Sequence, residues 1–223
     1  MADELKIQKE QAELLLDRKF VRVYDLRYAE GRHYYDATRR AGDDLVACMD
    51  EEAFQNMTAD AVSCFLILKV KGREPMLLLS REYRYPLGRF VLSIPAGLID
   101  REDLAEKEPA VSAAKREIFE ETGLRLEAGD TVRVVSPLVF STPGITDESN
   151  ALVCAVAERD ELPALCQDGA MDGEMFAGFC LTDRKTAMEY LKNGRDSFGR
   201  AYSVYTWSAL VWFVSGMWEK ELE

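Results

Sequence analysis

One helix, closed at both ends by its own residues and lined on one side with acids, limits what this 223-residue chain can fold into. Pro109 suits a first helical turn, where a missing N–H costs nothing. Gly123 supplies the left-handed stop. Asp103, Glu106 and Glu108 bring negative charge to the positive end of the helix. Between the two ends stand Glu117, Glu120 and Glu121, spaced by three and four residues and therefore on one face. Like charges so spaced oppose a helix by roughly 0.2–0.5 kcal/mol per pair. The ordinary fate of such a cluster is a solvated face. The alternative is a cation that relieves it, and hard divalent ions such as Mg²⁺ take carboxylate oxygens together with substrate phosphates. Read this way, the face is a magnesium platform.

The rest of the composition narrows the partners. The net charge of −12 argues against duplex DNA or RNA, whose binding rests on Lys and Arg neutralising phosphates. A small phosphorylated substrate stays open, because a bound metal inverts the local field even in an acidic protein. No apolar run is long enough to span a bilayer, and residues 1–19 carry acids without a signal-peptide pattern. A cytoplasmic protein with no membrane partner is expected. The five cysteines are scattered, without CxxC pairs, and are expected to be reduced, with Cys64, Cys154 and Cys180 as small core residues. His33 is the only histidine, which leaves no histidine-rich metal site.

Periodicity predicts a leading helix over 4–19, then a hairpin with strands at 20–28 and 33–39 around the Ala29–Arg32 turn signal. Residues 52–60 read as loop. A buried strand is expected at 61–70 and its return at 76–84, while 90–94 leads into Pro95-Ala96-Gly97. Further strands are predicted at 132–140, 150–157 and 174–181, with a mobile loop over 160–173. Thr182 is expected to cap a helix ending at Asn193 and Gly194, with Ala187, Met188 and Leu191 inward. A last helix runs from about 203 to 219, with Leu210, Trp212, Phe213 and Met217 as core. This order indicates an α+β fold rather than regular βαβ repetition. Residues 1–60 form the expected N-terminal helix and β-hairpin subdomain, and 61–223 the main domain.

Arg116-Glu117-Ile118-Phe119-Glu120-Glu121-Thr122-Gly123-Leu124 resembles the core of the Nudix box. Gly97 stands at its opening glycine and Glu108 at its upstream glutamate. Ten residues separate those two, where the family usually has five, so 101–107 is read as carrying a loop insertion, which loop entropy tolerates. Arg81-Glu82-Tyr83-Arg84-Tyr85-Pro86, Gly88-Arg89-Phe90, Pro95 to Asp100, Ser141 to Glu148 and Tyr35 to Arg40 resemble the ADP-ribose pyrophosphatase branch.

The resemblance implies a Nudix fold, a mixed sheet sandwiched between helices, with a small N-terminal β-hairpin sheet. It implies hydrolysis of the pyrophosphate bond of ADP-ribose or a related nucleoside diphosphate sugar, giving AMP and ribose 5-phosphate from ADP-ribose. The Ala96 carbonyl and the carboxylates of Glu117, Glu120 and Glu121 would hold Mg²⁺, with Mn²⁺ as an alternative, and Arg116 would orient them. Arg84 would contact the diphosphate, where a guanidinium fits phosphate geometry. Glu174, or Asp172 beside it, would approach the attacking water. Phe20 and Tyr35 would sandwich the base across a homodimer formed through residues 1–60, with Asp36 and Arg40 at the base edge. Substrates based on UDP- or GDP-sugars, a non-catalytic nucleotide sensor and a structural partner with a merely solvated acidic helix are the rival readings.

Overall fold

The computed structural model describes residues 6–169 and 173–219. They divide into two compact units. One comprises the chain up to Asp60 together with Leu138–Asn150, the other Ala61–Pro137 and the chain from Ala151 onward.

In the first unit, β1 (Ala12–Arg18), β2 (Val21–Ala29) and β3 (Arg32–Thr38) form an antiparallel sheet in sequence order. Gly31, at φ +65°, turns β2 into β3, a backbone conformation that glycine enters without a Cβ penalty. Tyr24 and Leu26 of β2 pack with Leu45 into a small core. The returning segment is sewn on by main-chain and side-chain bonds. Ala37 N–H donates to the Ile145 carbonyl at 2.9 Å, and the Tyr34 hydroxyl to the Gly144 carbonyl at 2.9 Å. A short helix, α1 (Glu51–Gln55), is capped by Asp50, whose carboxylate accepts the Ala53 N–H.

The second unit is built on β4 (Ala61–Val70), whose mostly apolar residues are buried on both faces up to Leu68, as a strand covered by helices on each side requires. Its neighbours are β5 (Met76–Arg84), β6 (Arg89–Ser93), β7 (Ala96–Leu98), β8 (Thr131–Phe140), β9 (Ser149–Arg159) and β10 (Phe176–Thr182). The main path runs β10-β5-β4-β9-β8, with β6 paired to β5 and β7 to β4. Alternation along β4 sends Phe65 and Ile67 into a core with Ala187 and Tyr190 of α4 (Arg184–Asn193) and Leu210 and Phe213 of α5 (Val204–Ser215). The opposite parity sends Cys64 to the Ala114 carbonyl of α3 (Pro109–Thr122). Each such buried Leu, Ile or Phe contributes about 1.5–3 kcal/mol. This is the expected α+β sandwich, and it packs one face of α3 on β4 and β7.

Several local expectations are corrected. The leading helix over 4–19 does not form. A 3₁₀ turn at Lys9–Gln11 precedes β1, and residues 1–5 lie outside the described chain. Leu14-Leu15-Leu16 has no helical period, and pairing to β2 outweighs helix propensity there. Residues 52–60 begin in a helix rather than a loop, because Asp50 caps it. Asp183, not Thr182, caps α4, and Thr182 is the buried last residue of β10. The last helix stops at Ser215, because Gly216 at φ +73° takes the left-handed cap. Met217, beyond it, is exposed, as is Met188 on α4, while Cys180 is only half-buried.

Candidate active site

Glu117 and Glu121 lie on the same inward side of α3 as Ala113, Ala114 and Ile118, where apolar residues belong. Each is more than nine-tenths buried, while Glu120 remains partly open. Burial pushes the Glu117 carboxyl up to about 7, against the pull of Arg116 and with a further push from Glu120 and Glu174. Glu121 is raised well above the ordinary carboxylate value. Burial is again the main cause, only partly offset by the Ala96 N–H that donates to its Oε1 at 3.1 Å.

The neighbouring strand is shaped for these acids. A Cβ on Gly97 would sit 2.0 Å from Glu117 Oε1 and 2.2 Å from its Cδ, so only glycine leaves room for that carboxylate. Arg116 ties the face together. Its Nη1 donates to Glu117 Oε1 at 2.7 Å and to Glu120 Oε2 at 3.1 Å, and its Nη2 to the Leu98 carbonyl at 2.8 Å.

The acid that holds Arg116 from the other side is Asp103, not Glu108. Arg116 Nη2 donates to Asp103 Oδ2 at 2.8 Å, the Ser112 hydroxyl to Oδ1 at 2.8 Å, and the Asp100 N–H to Oδ2 at 3.1 Å. Burial raises the Asp103 pKa, but the bonds from Arg116, Ser112 and Asp100 together bring it below the usual carboxylate value. Five residues lie between Gly97 and Asp103, the spacing usual in the family, so the extra residues fall after it, over 104–108. Glu108 is the residue before α3 and makes no side-chain capping bond. A short helix, α2 (Arg101–Leu104), fixes Asp103 through a capping box with Asp100.

Two further acids face this cluster. The charge of Glu174, in the segment before β10, acts on Glu117, Glu121 and Glu82. Asp172, the other candidate in that segment, lies outside the described residues. Glu82 was missed by the sequence reading, since a lone Glu in a strand passes for a solvent-facing residue. The available signal was the alternation Ser80, Glu82, Arg84 on the same side as buried Leu78. Arg84 is half-exposed at the end of β5 and donates through Nη2 to Glu82 Oε2 at 2.7 Å.

Cys166 and Gly169, upstream of Glu174, are docked on the last turn of α3. Cys166 N–H donates to the Thr122 carbonyl at 3.0 Å. A Cβ on Gly169 would lie 2.5 Å from the Glu120 carbonyl oxygen, so the two backbones touch.

The remaining candidates sit in the first unit. Phe20, in the turn between β1 and β2, is 67% exposed and Tyr35 57%, so neither ring is spent on hairpin core. Tyr35 and buried Asp36 line a cavity of about 230 Å³ with Tyr34, Phe140, Ile145 and Asp147. Burial and the neighbouring Asp147 push Asp36 up to about 6 despite Arg40. Arg40 pairs with Asp60 at 2.6 Å and reaches Asp147 at 3.7 Å. Phe20 is not among the residues lining that cavity.

An acid-bearing helix on a mixed sheet, with its buried carboxylates against Ala96 and Gly97 of β7, defines the structural class. Within it, the NUDIX domain model matches residues 57–197, and the chain belongs to the Nudix family. A nudix hydrolase of Caenorhabditis elegans is 32% identical over 136 residues, 61% of this chain and 57% of the relative. The ADP-sugar pyrophosphatase of Mus musculus is 31% identical over 104 residues, 47% of this chain and 44% of the relative. The ADP-ribose pyrophosphatase of Saccharomyces cerevisiae is 38% identical over 96 residues, 42% and 37% of the two chains. The chain thus spans less than two thirds of the length of each of these relatives. A crystal structure of a C. elegans Ap4A hydrolase overlaps 72% of this chain and 99% of its own, at TM-score 0.46 and 15% identity.

Proposed function

We propose that this protein hydrolyses the pyrophosphate bond of ADP-ribose or a related nucleoside diphosphate sugar, with Mg²⁺ as cofactor. The observation that carries the reading is the pair of buried carboxylates, Glu117 and Glu121, turned inward on α3 against Ala96 and Gly97. Two buried acids raise each other's pKa and oppose folding unless a cation or proton relieves them. The relatives from mouse and yeast, named for ADP-sugars and ADP-ribose, support the substrate class.

The donor set suits a hard divalent ion. It is all oxygen, and the glycine at 97 gives the Glu117 carboxylate the space a side chain would fill. Among the described residues no three acids converge on one point, because Glu121 faces the Ala96 N–H, and Glu117 and Glu120 face Arg116. Glu117, Glu120, Glu121 and the Ala96 carbonyl would hold Mg²⁺, or Mn²⁺ in its place. When bound, the cation supplies an activated water and neutralises charge on the phosphoanhydride.

The chain's own groups do the rest. Arg116 holds Glu117 and Glu120 in place through its Nη1. Arg84 presents its free N–H groups to the diphosphate. Glu174 accepts the proton of the attacking water, and a base on a loop can arrive once substrate is in place. In the first unit, exposed Phe20 and Tyr35 stack the base, a contact that contributes about 1–3 kcal/mol and tolerates different bases. Asp36 and Arg40 lie at the base edge. The exposed leucines of β1 and Phe20 form the contact surface of a homodimer.

A product assay over ADP-ribose, other ADP-sugars, UDP-sugars and GDP-sugars, with Mg²⁺ and with chelator, tests the reading. Release of AMP and ribose 5-phosphate that chelator abolishes is the expected result. Cleavage of UDP- or GDP-sugars with ADP-ribose untouched moves the assignment to those substrates, and nucleotide binding without any cleavage makes the protein a sensor.

A further inference from the structure

Glu82 is a buried acid with no place in the sequence-based site, and its setting assigns it one. We propose that Glu82 is a positioning residue that fixes the guanidinium of Arg84 for contact with the diphosphate, an inference that rests on the hydrolase reading above.

The geometry is that of a strand pair. Residues two apart on a strand share a face, and Glu82 and Arg84 do so at the end of β5. Glu82 is 8% exposed, whereas the Arg84 side chain is 49% exposed. A long cation at a strand end samples many rotamers and must be ordered before it can bind. Glu82 Oε2, accepting Nη2 at 2.7 Å, orders it in advance. The carboxylate is itself held, since Ser93 of β6 hydrogen-bonds to it, and β6 is locked by the pairs Ser80 with Ser93 and Glu82 with Val91.

Electrostatics give the arrangement its purpose. Glu82 acts on Glu121 and is acted on by Glu174. A bare carboxylate there would repel a diphosphate, and a buried charge persists only when paired. Paired with Arg84, it is neutralised, and most of the five N–H donors of the guanidinium remain for phosphate. Loss of Glu82 should therefore weaken substrate binding and leave the chemical step alone.

The test compares Glu82→Ala, Glu82→Gln, Arg84→Ala and the Glu82→Ala/Arg84→Ala double variant on whichever sugar diphosphate the native protein cleaves, with a Mg²⁺ titration for each. For Glu82→Ala the expected result is a KM raised about tenfold, kcat within about threefold, and an unchanged half-saturating Mg²⁺ concentration. Glu82→Gln, which keeps an oxygen for Nη2, recovers most of the loss. The double variant matches Arg84→Ala alone, since the two residues act as one unit. An unchanged KM, a shifted Mg²⁺ requirement or an effect that multiplies with that of Arg84→Ala overturns the proposal. If Glu82→Ala does not fold, Glu82→Met takes its place. If the native protein cleaves nothing, the hydrolase reading falls, and calorimetry with magnesium pyrophosphate still decides this one. Affinity about tenfold weaker in the Glu82 variant sustains the positioning role, and equal affinity removes it.

Discussion

Gly97 is the residue on which the acid face most directly depends. The position needs space rather than a special backbone angle, because Glu117 Oε1 lies 2.0 Å from where a Cβ would be. Gly97→Ala should displace that carboxylate and cut turnover at least about a hundredfold, with the fold kept. Kinetics beside a thermal melt check this, and near-native turnover would refute it. Glu117 also sets a pH dependence. Its folded pKa, raised to about 7, lies above the ordinary value near 4.5, so protonation favours the metal-free fold. That stability is full below about pH 4.5 and is lost as pH rises through 7. The loss is roughly 2 kcal/mol after allowance for solvent screening. Melts of metal-free protein from pH 5 to 8 should show the decline, and saturating Mg²⁺ should reverse it at pH 8. Conversely, the Mg²⁺ concentration needed for half-maximal activity should climb as pH falls below 7, because protons then compete for the carboxylate. A flat Mg²⁺ requirement from pH 6 to 8 would contradict the assignment of Glu117.

At the scale of elements, α2 and α3 act as a pair. Asp103 on the one grips Arg116 on the other, and the extra residues that follow Asp103 do not interrupt the contact. Asp103→Ala should lower kcat by about tenfold or more, while Glu108→Ala should leave it within about twofold. Steady-state rates of the two variants decide between these acids. The sequence alone could not, since Glu108 has the correct distance to Arg116 and Asp103 the correct distance to Gly97, and only a three-dimensional contact breaks the tie. Elements whose signals are local were legible. Pro109 and Gly123 bracket α3 as they should, and the apolar run of β4 reads as a covered strand. β1 was not legible, because its structure comes from pairing with β2 rather than from its own residues. Glu82 was hidden for a related reason, as its burial and its pairing with β6 and β10 on either side of β5 are tertiary facts that no local pattern carries.

For the molecule as a whole, the exposed face of β1 sets the expectation. Leu14, Leu15 and Leu16 are exposed on an edge strand that pairs only with β2 among the described residues. Edges of this kind invite a second chain. Leu15→Lys should shift sedimentation from dimer towards monomer, and a native protein that already sediments as a monomer would exclude the homodimer. The same shift should weaken substrate binding if Phe20 of one copy and Tyr35 of another stack on one base, whereas the Mg²⁺ requirement, if it is set by the proposed ligands Glu117, Glu120 and Glu121, should not move.

Gly169 lies with its backbone against Glu120, and four residues separate it from Glu174. Five virtual bonds of extended chain reach about 18 Å at most. The proposed proton acceptor is therefore on a leash staked to the helix whose acids it would serve, and lengthening that leash with inserted glycines should loosen its aim while leaving the stake untouched.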